Sequence, residues 1–337
     1  MKKRLFTIVQ YIFFLGLGFF FVWLSLKDID HEKRSQIKSA LRHARYWLII
    51  PVFAILFTSH LIRALRWKLL IGSLGYHAKT SNAFFAVMIG YLTNQAVPRL
   101  GEIAKCTMLA RYEKIPADKL IGTIILERVI DAITLLIVFG ITLVIQPDIY
   151  TDLINAFFHS PQDKTQKKIP GLLIAAIIIG MLVIGVIVWM LVKKKKFNDL
   201  FKIFRRIGKS VWQGISAVQH LKKRWLFIFY SIALWSFYFI GGYIGFYAFL
   251  ETQQYGIKEG FAILSAGSVG MIATPGGIGA YALLIEKTME IYGLKEGIAL
   301  AFGWVLWLSQ TAVILIGGLF SFAALPYFNK KKPIEKI

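Results

Sequence analysis

Six ionisable residues lie close together in sequence that is otherwise largely apolar: Arg99, Glu102, Lys105, Glu127, Arg128 and Asp131. Their spacing of three or four residues lets helical neighbours pair, Arg99 with Glu102, Glu102 with Lys105, and Arg128 with Asp131. Glu127 and Asp131 share one helix face. A helix starting near Leu120 places them about 10–18 Å along its axis. A charge near the centre of a membrane helix costs about 2.5–3.5 kcal/mol on insertion scales, so such a cluster is a functional candidate. Two compatible chemistries fit it. Salt bridges could tie one apolar segment to the next, or a charged cavity could use an Arg fork to engage phosphate while a carboxylate carries a proton.

A second motif is Thr274-Pro275-Gly276-Gly277-Ile278-Gly279. Pro275, Gly276, Gly277 and Gly279 precede a short helical stretch whose free N–H groups could hold an anion. The same glycines suit a tight turn in which backbones pack closely. Glu286 and Lys287 follow two turns later. Cys106 is the only cysteine, which excludes a disulfide framework and a cysteine metal site. The sequence carries no metal-ligand spacing, Walker loop or nucleophile elbow, so neither a cofactor nor enzymatic chemistry is expected.

The elements that must position these residues are membrane spans. Hydrophobic residues make up 57% of the chain and charged residues 17%, and the apolar residues come in runs of 20 or more. About 20 helical residues cross the hydrocarbon. Six full spans are expected, at about 6–26, 46–70, 120–146, 171–192, 225–250 and 298–325. The first follows Lys2, Lys3 and Arg4 but exceeds a signal-peptide core and lacks a cleavage site, so it is read as retained. His60, Arg63 and Arg66 fall in the second span. His60 reads as a hydrogen-bonded bundle residue, and Arg66 with Trp67 is expected to snorkel to the interface.

Two further apolar regions are interrupted, 81–111 at Val97–Glu102 and 256–292 at Thr274–Gly279. Proline and glycine break helices. Broken backbone is tolerated in hydrocarbon only when buried in protein or lining a cavity. Both regions are therefore expected to be re-entrant helix–break–helix elements. The intervals match: 52 residues separate position 46 from Pro98 and 50 separate position 225 from Pro275, while 23 separate Pro98 from Ile121 and also Pro275 from Ile298. The fold class expected is thus an all-α polytopic membrane protein with an inverted repeat. It forms a single transmembrane domain: 1–44 carries the first span and an external segment, 45–146 the first repeat, 147–224 a connecting span and basic loop, 225–325 the second repeat, and 326–337 a basic tail.

The net charge of +22 follows from basic loops and not from a nucleic-acid surface, because the basic runs abut the spans. With the N-terminus inside, 27 Lys and Arg fall on the cytoplasmic side and 12 outside. The positive-inside rule then puts both termini in the cytoplasm of the cell membrane. The external segment 27–45 fits least well, with six basic residues. Residues 193–224 repeat Phe197, Leu200, Phe201 and Phe204 at helical spacing among Lys and Arg, which predicts a basic amphipathic helix on the inner leaflet.

Pro98-Arg99-Leu100-Gly101-Glu102-x-x-Lys105, followed by Glu127-Arg128-x-x-Asp131, resembles the flippase-like family whose members look like the membrane domain of lysylphosphatidylglycerol synthases. Pro275-Gly276-Gly277-Ile278-Gly279 is similar to its second motif and Arg66-Trp67 to its early one, over about residues 45–325. The chain departs from the family at Ala282, where a Glu is usual, and Glu286 stands one turn later. No part resembles the aminoacyl-transferase domain of the full-length synthases. The resemblance implies a lipid translocator acting on membrane lipids that are anionic or phosphate-bearing. The alternatives are a membrane scaffold for a partner lipid-modifying enzyme and, less favoured, a lipid-linked transferase. A second copy of the chain or a partner enzyme is a further candidate partner.

Overall fold

A computed structural model describes residues 15–27, 29–97, 100–158, 218 and 221–330. No strand occurs among the described residues. In chain order the helices are α1 (Leu15–Leu26), α2 (His31–His43), α3 (Ile49–Ser73), α4 (Thr80–Ala96), α5 (Leu100–Glu113), α6 (Ala117–Ile145), α7 (Ile149–Phe158), α8 (Arg224–Gly245), α9 (Ile257–Ala273), α10 (Ala280–Ile291) and α11 (Glu296–Phe328). Four stretches are long and apolar enough to cross a membrane: Tyr46–Ser73, Ala117–Ile145, Arg224–Ala248 and Glu296–Phe328. They coincide with four of the six expected spans. Of the first expected span, the described part is α1. The expected span at 171–192 and nearly all of the amphipathic segment 193–224 lie outside the described residues. The segments 27–45 and 147–170, expected to connect spans, contain α2 and α7. Asp30 caps α2 by accepting from the Lys33 N–H at 2.8 Å.

Both interrupted regions are two short helices. α4 ends at Ala96 and α5 begins at Leu100, so Gly101 and Glu102, expected in the break, are helical. Val97 is extended, as a residue before proline prefers to be. The Gly101 N–H donates to Asn94 Oδ1 at 2.7 Å across the break. The second break, after Ala273, places Gly276, Gly277 and Gly279 at φ +59°, +72° and +71°. L side chains rarely adopt this region. Space is also short there: a Cβ on Gly279 would lie 2.5 Å from the backbone nitrogen of Val22 in α1. The Thr274 hydroxyl closes the turn by donating to the Ile278 carbonyl at 3.0 Å.

The two largest apolar clusters lie one around each interrupted region. One joins α3, α4, α5, the start of α6 and the end of α11. The other joins α2, α9, α10 and the first half of α11. α3 and α8 run antiparallel against each other, pairing Leu70 with Phe227, Arg66 with Ser231, Arg63 with Tyr238 and Leu56 with Gly241. α6 reaches across to α9, where the Thr142 and Ser265 hydroxyls lie 2.8 Å apart. α11 reaches across to α4, with Gly317 against Met88 and Gly318 against Leu92. The two breaks meet where Gly276 packs on the Gln95 side chain. Connections gather at two rims. One holds α2, where Lys33 bridges Glu296 at 2.6 Å. The other holds Glu113, which accepts from the Lys79 N–H at 2.9 Å.

Candidate functional site

Inside the first half, α3, α5 and α6 bury a network of five charges. Glu127 is fully buried and accepts from Lys105 Nζ at 2.8 Å, from Arg63 at 3.0 Å and from Arg66 at 3.4 Å. Asp131 binds Arg66 through one carboxylate oxygen at 2.6 Å and Arg63 through the other at 2.7 Å. Helical spacing explains the arrangement: Arg63 and Arg66 are three apart on α3, and Glu127 and Asp131 are four apart on α6, so each helix presents two charges to the other. Tyr238 accepts from Arg63 at 3.0 Å and Ser231 from Arg66 at 3.3 Å. Lys105 also lies 4.1 Å from the Trp67 ring centroid, and the Trp67 indole donates to Thr123 at 2.8 Å.

Several expected pairings are replaced. Asp131 does not bind Arg128, because Arg63 and Arg66 occupy both of its oxygens. Lys105 turns to Glu127 and not to Glu102. Arg66 and Trp67 do not snorkel to an interface; both are fully buried, with Arg66 held by Asp131 and Trp67 by Thr123. Desolvating a guanidinium is sustained only by such close pairing. His60, expected to be hydrogen-bonded, is instead buried against the Tyr91 ring, and its Nδ1 has no hydrogen-bond partner among the described residues. Arg99 and Pro98 lie outside the described residues.

Arg128 differs from the other cations. Its side chain is 47% exposed, and its Nε lies 3.8 Å from Glu102. It lines a cavity of about 400 Å³ between the two halves. Arg63, Asp131, His60, Tyr91 and Tyr238 give this cavity a polar wall, while Leu264, Met271, Ile272, Leu306 and Ile314 give it a mainly apolar one, in which Ser268 and the Gln310–Tyr281 hydrogen-bonded pair are the polar groups. The three cations Arg63, Arg66 and Lys105 face only two carboxylates, Glu127 and Asp131, while Arg128 and Glu102 balance each other. Among the described residues, the site therefore carries one surplus positive charge beside a mainly apolar surface.

The second motif plays a different part. Pro275 and Gly277 are buried, Gly276 meets Gln95, and the Trp307 indole donates to the Gly276 carbonyl at 2.9 Å. Its glycines thus serve the close packing of α1, α4 and α11 around the break. Glu286 is buried with the Ser25 hydroxyl at 3.4 Å. No group of three or more His, Cys, Asp or Glu suited to a metal occurs among the described residues.

Residues 8–318 match the family described as the lysylphosphatidylglycerol synthase TM region. The chain belongs to that family. It is therefore a multi-pass helical membrane protein of the lysylphosphatidylglycerol synthase transmembrane family. It is also similar to a UPF0104 membrane protein of Methanocaldococcus jannaschii, 29% identical over 120 residues. That alignment covers 35% of this chain and 35% of the relative's length. No solved structure matches significantly.

Within this family member, five of the six sequence-selected charges join this network or its edge: Lys105, Glu127 and Asp131 within it, and Arg128 with its partner Glu102 beside it. Of these, Asp131 and Arg128 line the cavity. Sequence reasoning missed that Arg63 and Arg66 neutralise the carboxylates. The signal available was arithmetic: in apolar sequence α3 carries two cations, and α6 two carboxylates, at one-turn spacing. Tyr91 and Tyr238 carried no such signal, since aromatic residues are common in every span.

Proposed function

We propose that the protein translocates a phosphate-bearing lipid between the leaflets of the cytoplasmic membrane. The observation that carries this reading is the surplus positive charge on one wall of a cavity whose other wall is mainly apolar. A phosphodiester anion offsets the charge, and acyl chains suit the apolar wall. The half-exposed Arg128 offers its planar fork to the phosphate, while Arg63 and Arg66 are held in place by Asp131. The reading assigns transport and not covalent chemistry, with membrane lipid as the partner.

The two interrupted regions are read as re-entrant elements of an inverted repeat. What supports this is reciprocal packing: α3 lies antiparallel to α8, α6 crosses to α9, and α11 crosses to α4. Such repeats rock against each other to expose a central site alternately. The charge bias of the loops supports cytoplasmic termini, so that the α2 rim faces outward. Taking the buried Arg63 and Arg66 out of the loop count leaves that bias intact.

The test is a leaflet-resolved assay in proteoliposomes with fluorescent phosphatidylglycerol. Wild-type protein accelerates exchange between leaflets. Arg128→Lys inserts and melts normally but transports about tenfold more slowly, one tenfold step being about 1.4 kcal/mol. Wild-type rates in a stable Arg128→Lys protein would remove the phosphate grip.

A further inference from the structure

The corner where α2 leads into α3 carries charge that nothing described balances. Arg34, Lys38, Arg42 and Arg45 are all exposed, and none has a carboxylate partner among the described residues. Arg34, Lys38 and Arg42 stand four residues apart on α2, so like charges line one face of the helix, and Arg45 follows past the extended Ala44 at the turn into α3. The opposite side is fixed to the protein: Ala40 is buried with Ile37 and Leu41 in the cluster around α10 and α11. The corner itself is pinned, since the Arg45 N–H donates to the Ala248 carbonyl at 2.8 Å and the Tyr46 hydroxyl to the Leu41 carbonyl at 2.6 Å. Next to the charges, Tyr46 and Trp47 are 55% and 63% exposed. Exposed Tyr and Trp at the start of a span mark headgroup level.

A small cavity of about 30 Å³ opens at this corner, lined by Arg45, Tyr46 and Ile49 on one side and by Ser309 of α11 on the other. Val52 and Leu306 line both this space and the large cavity. These two side chains therefore stand between the corner and the site. Gly245 makes room for one of them: a Cβ there would lie 2.5 Å from Leu306 Cδ2.

We infer that this corner is a docking site for anionic phospholipid headgroups, and that it forms the mouth of a throat closed by Val52 and Leu306. The occupant follows from the charge and from the aromatic pair beside it. Four uncompensated cations at headgroup depth attract phosphate, and the attraction is strongest at low salt. A space of about 30 Å³ holds about one water molecule, so the throat is shut in this conformation. Its opening moves Leu306 off Gly245 and connects the leaflet at the α2 rim with the Arg63–Arg128 wall. The use of the throat for transport rests on the translocator reading; the docking site and the throat do not.

Two measurements test the inference on the full-length protein. Native mass spectrometry with phosphatidylglycerol and phosphatidylcholine reads the docking site. The triple variant Arg34→Gln, Lys38→Gln, Arg42→Gln retains less phosphatidylglycerol than wild type, with the zwitterionic lipid unchanged. Equal retention overturns the docking site and points to an acidic protein as the occupant of the stripe. The throat is read by reaction of Gln310→Cys, in a Cys106→Ser background, with a charged thiol reagent added at the α2 rim. Leu306→Trp slows labelling about tenfold and Leu306→Ala quickens it, a shift of about 1.4 kcal/mol per tenfold step in the opening barrier. Unchanged rates in both variants overturn the throat. If both measurements succeed while wild-type protein moves no lipid, the corner and throat stand and the translocator reading falls.

Discussion

The two interrupted regions share a form and are held in it by different forces. In 80–113 the second short helix is anchored by charge: Lys105 reaches Glu127, which also accepts from Arg63 and Arg66. In 257–291 it is anchored by shape: three glycines with positive φ let α1, α4 and α11 close on the break. Each half also buries one carboxylate on or against its second short helix. Glu127 has three cationic partners, whereas Glu286 has the Ser25 hydroxyl, with Lys287 3.9 Å away and engaged by Glu290 at 2.7 Å. The difference teaches how one cavity acquires two kinds of wall. The half built on charge supplies a polar, cationic surface, and the half built on glycine and small residues supplies a mainly apolar one.

Exchanging acid for amide in each half puts the largest strain on this contrast. Glu127→Gln leaves three buried cations facing Asp131 alone. Breaking a buried pair costs about 3–5 kcal/mol, so the variant should lose most of its thermal stability or fail to accumulate in the membrane. A Glu127→Gln protein with wild-type melting would mean that the charges do not hold the first half together. Next in size is Gly279→Ala, which combines strained backbone with a clash against α1. Such strain costs about 1–3 kcal/mol, and protease protection of α1 should fall with the melting temperature. Little change would show that α1 seats independently of the break.

Lys105→Met separates stability from binding. It removes the surplus cation and leaves Arg63 and Arg66 matched to Glu127 and Asp131. Stability should shift by less than about 1.5 kcal/mol, as for well-packed apolar replacements, while phosphatidylglycerol binding weakens about tenfold. Undiminished binding would break the link between net charge and ligand. The smallest effect is expected for Glu286→Gln, because the amide oxygen still accepts from Ser25. A neutral hydrogen bond is worth about 1 kcal/mol, so melting should move by no more than that. A loss as large as that of Glu127→Gln would erase the distinction between the halves.

Much of this architecture was legible in the sequence because bilayer physics is one-dimensional. Span length and the Pro-Gly breaks fixed four long helices and both interruptions to within a few residues. The charged cluster was legible too, since intramembrane Glu127 and Asp131 demand partners. Which partners they take was not. Neighbours on one helix suggested Arg128 with Asp131, but a guanidinium from another helix reaches both carboxylate oxygens without bending its own backbone. Arg66 misled for a related reason: a basic residue near a span's end snorkels when water is its best partner, and here Asp131 at 2.6 Å is better. α2 escaped notice because its mean composition is polar, and its helix is set by the Asp30 cap and by packing on α11.

α11 remains a single helix from Glu296 to Phe328, 33 residues long. At 1.5 Å per residue it extends about 50 Å, against a hydrocarbon layer of about 30 Å. It can fit only by leaning or by protruding. Its first half grips α10 through Gly303 and the second break through Trp307, and its second half grips α4 through Gly317 and Gly318. A stiff rod clasped at both ends behaves as a lever. A change in its lean therefore carries both interrupted regions with it. Its packing on both interrupted regions sets that lean, so a bilayer of thinner or thicker acyl chains should strain both breaks at once, and melting temperature should follow acyl-chain length.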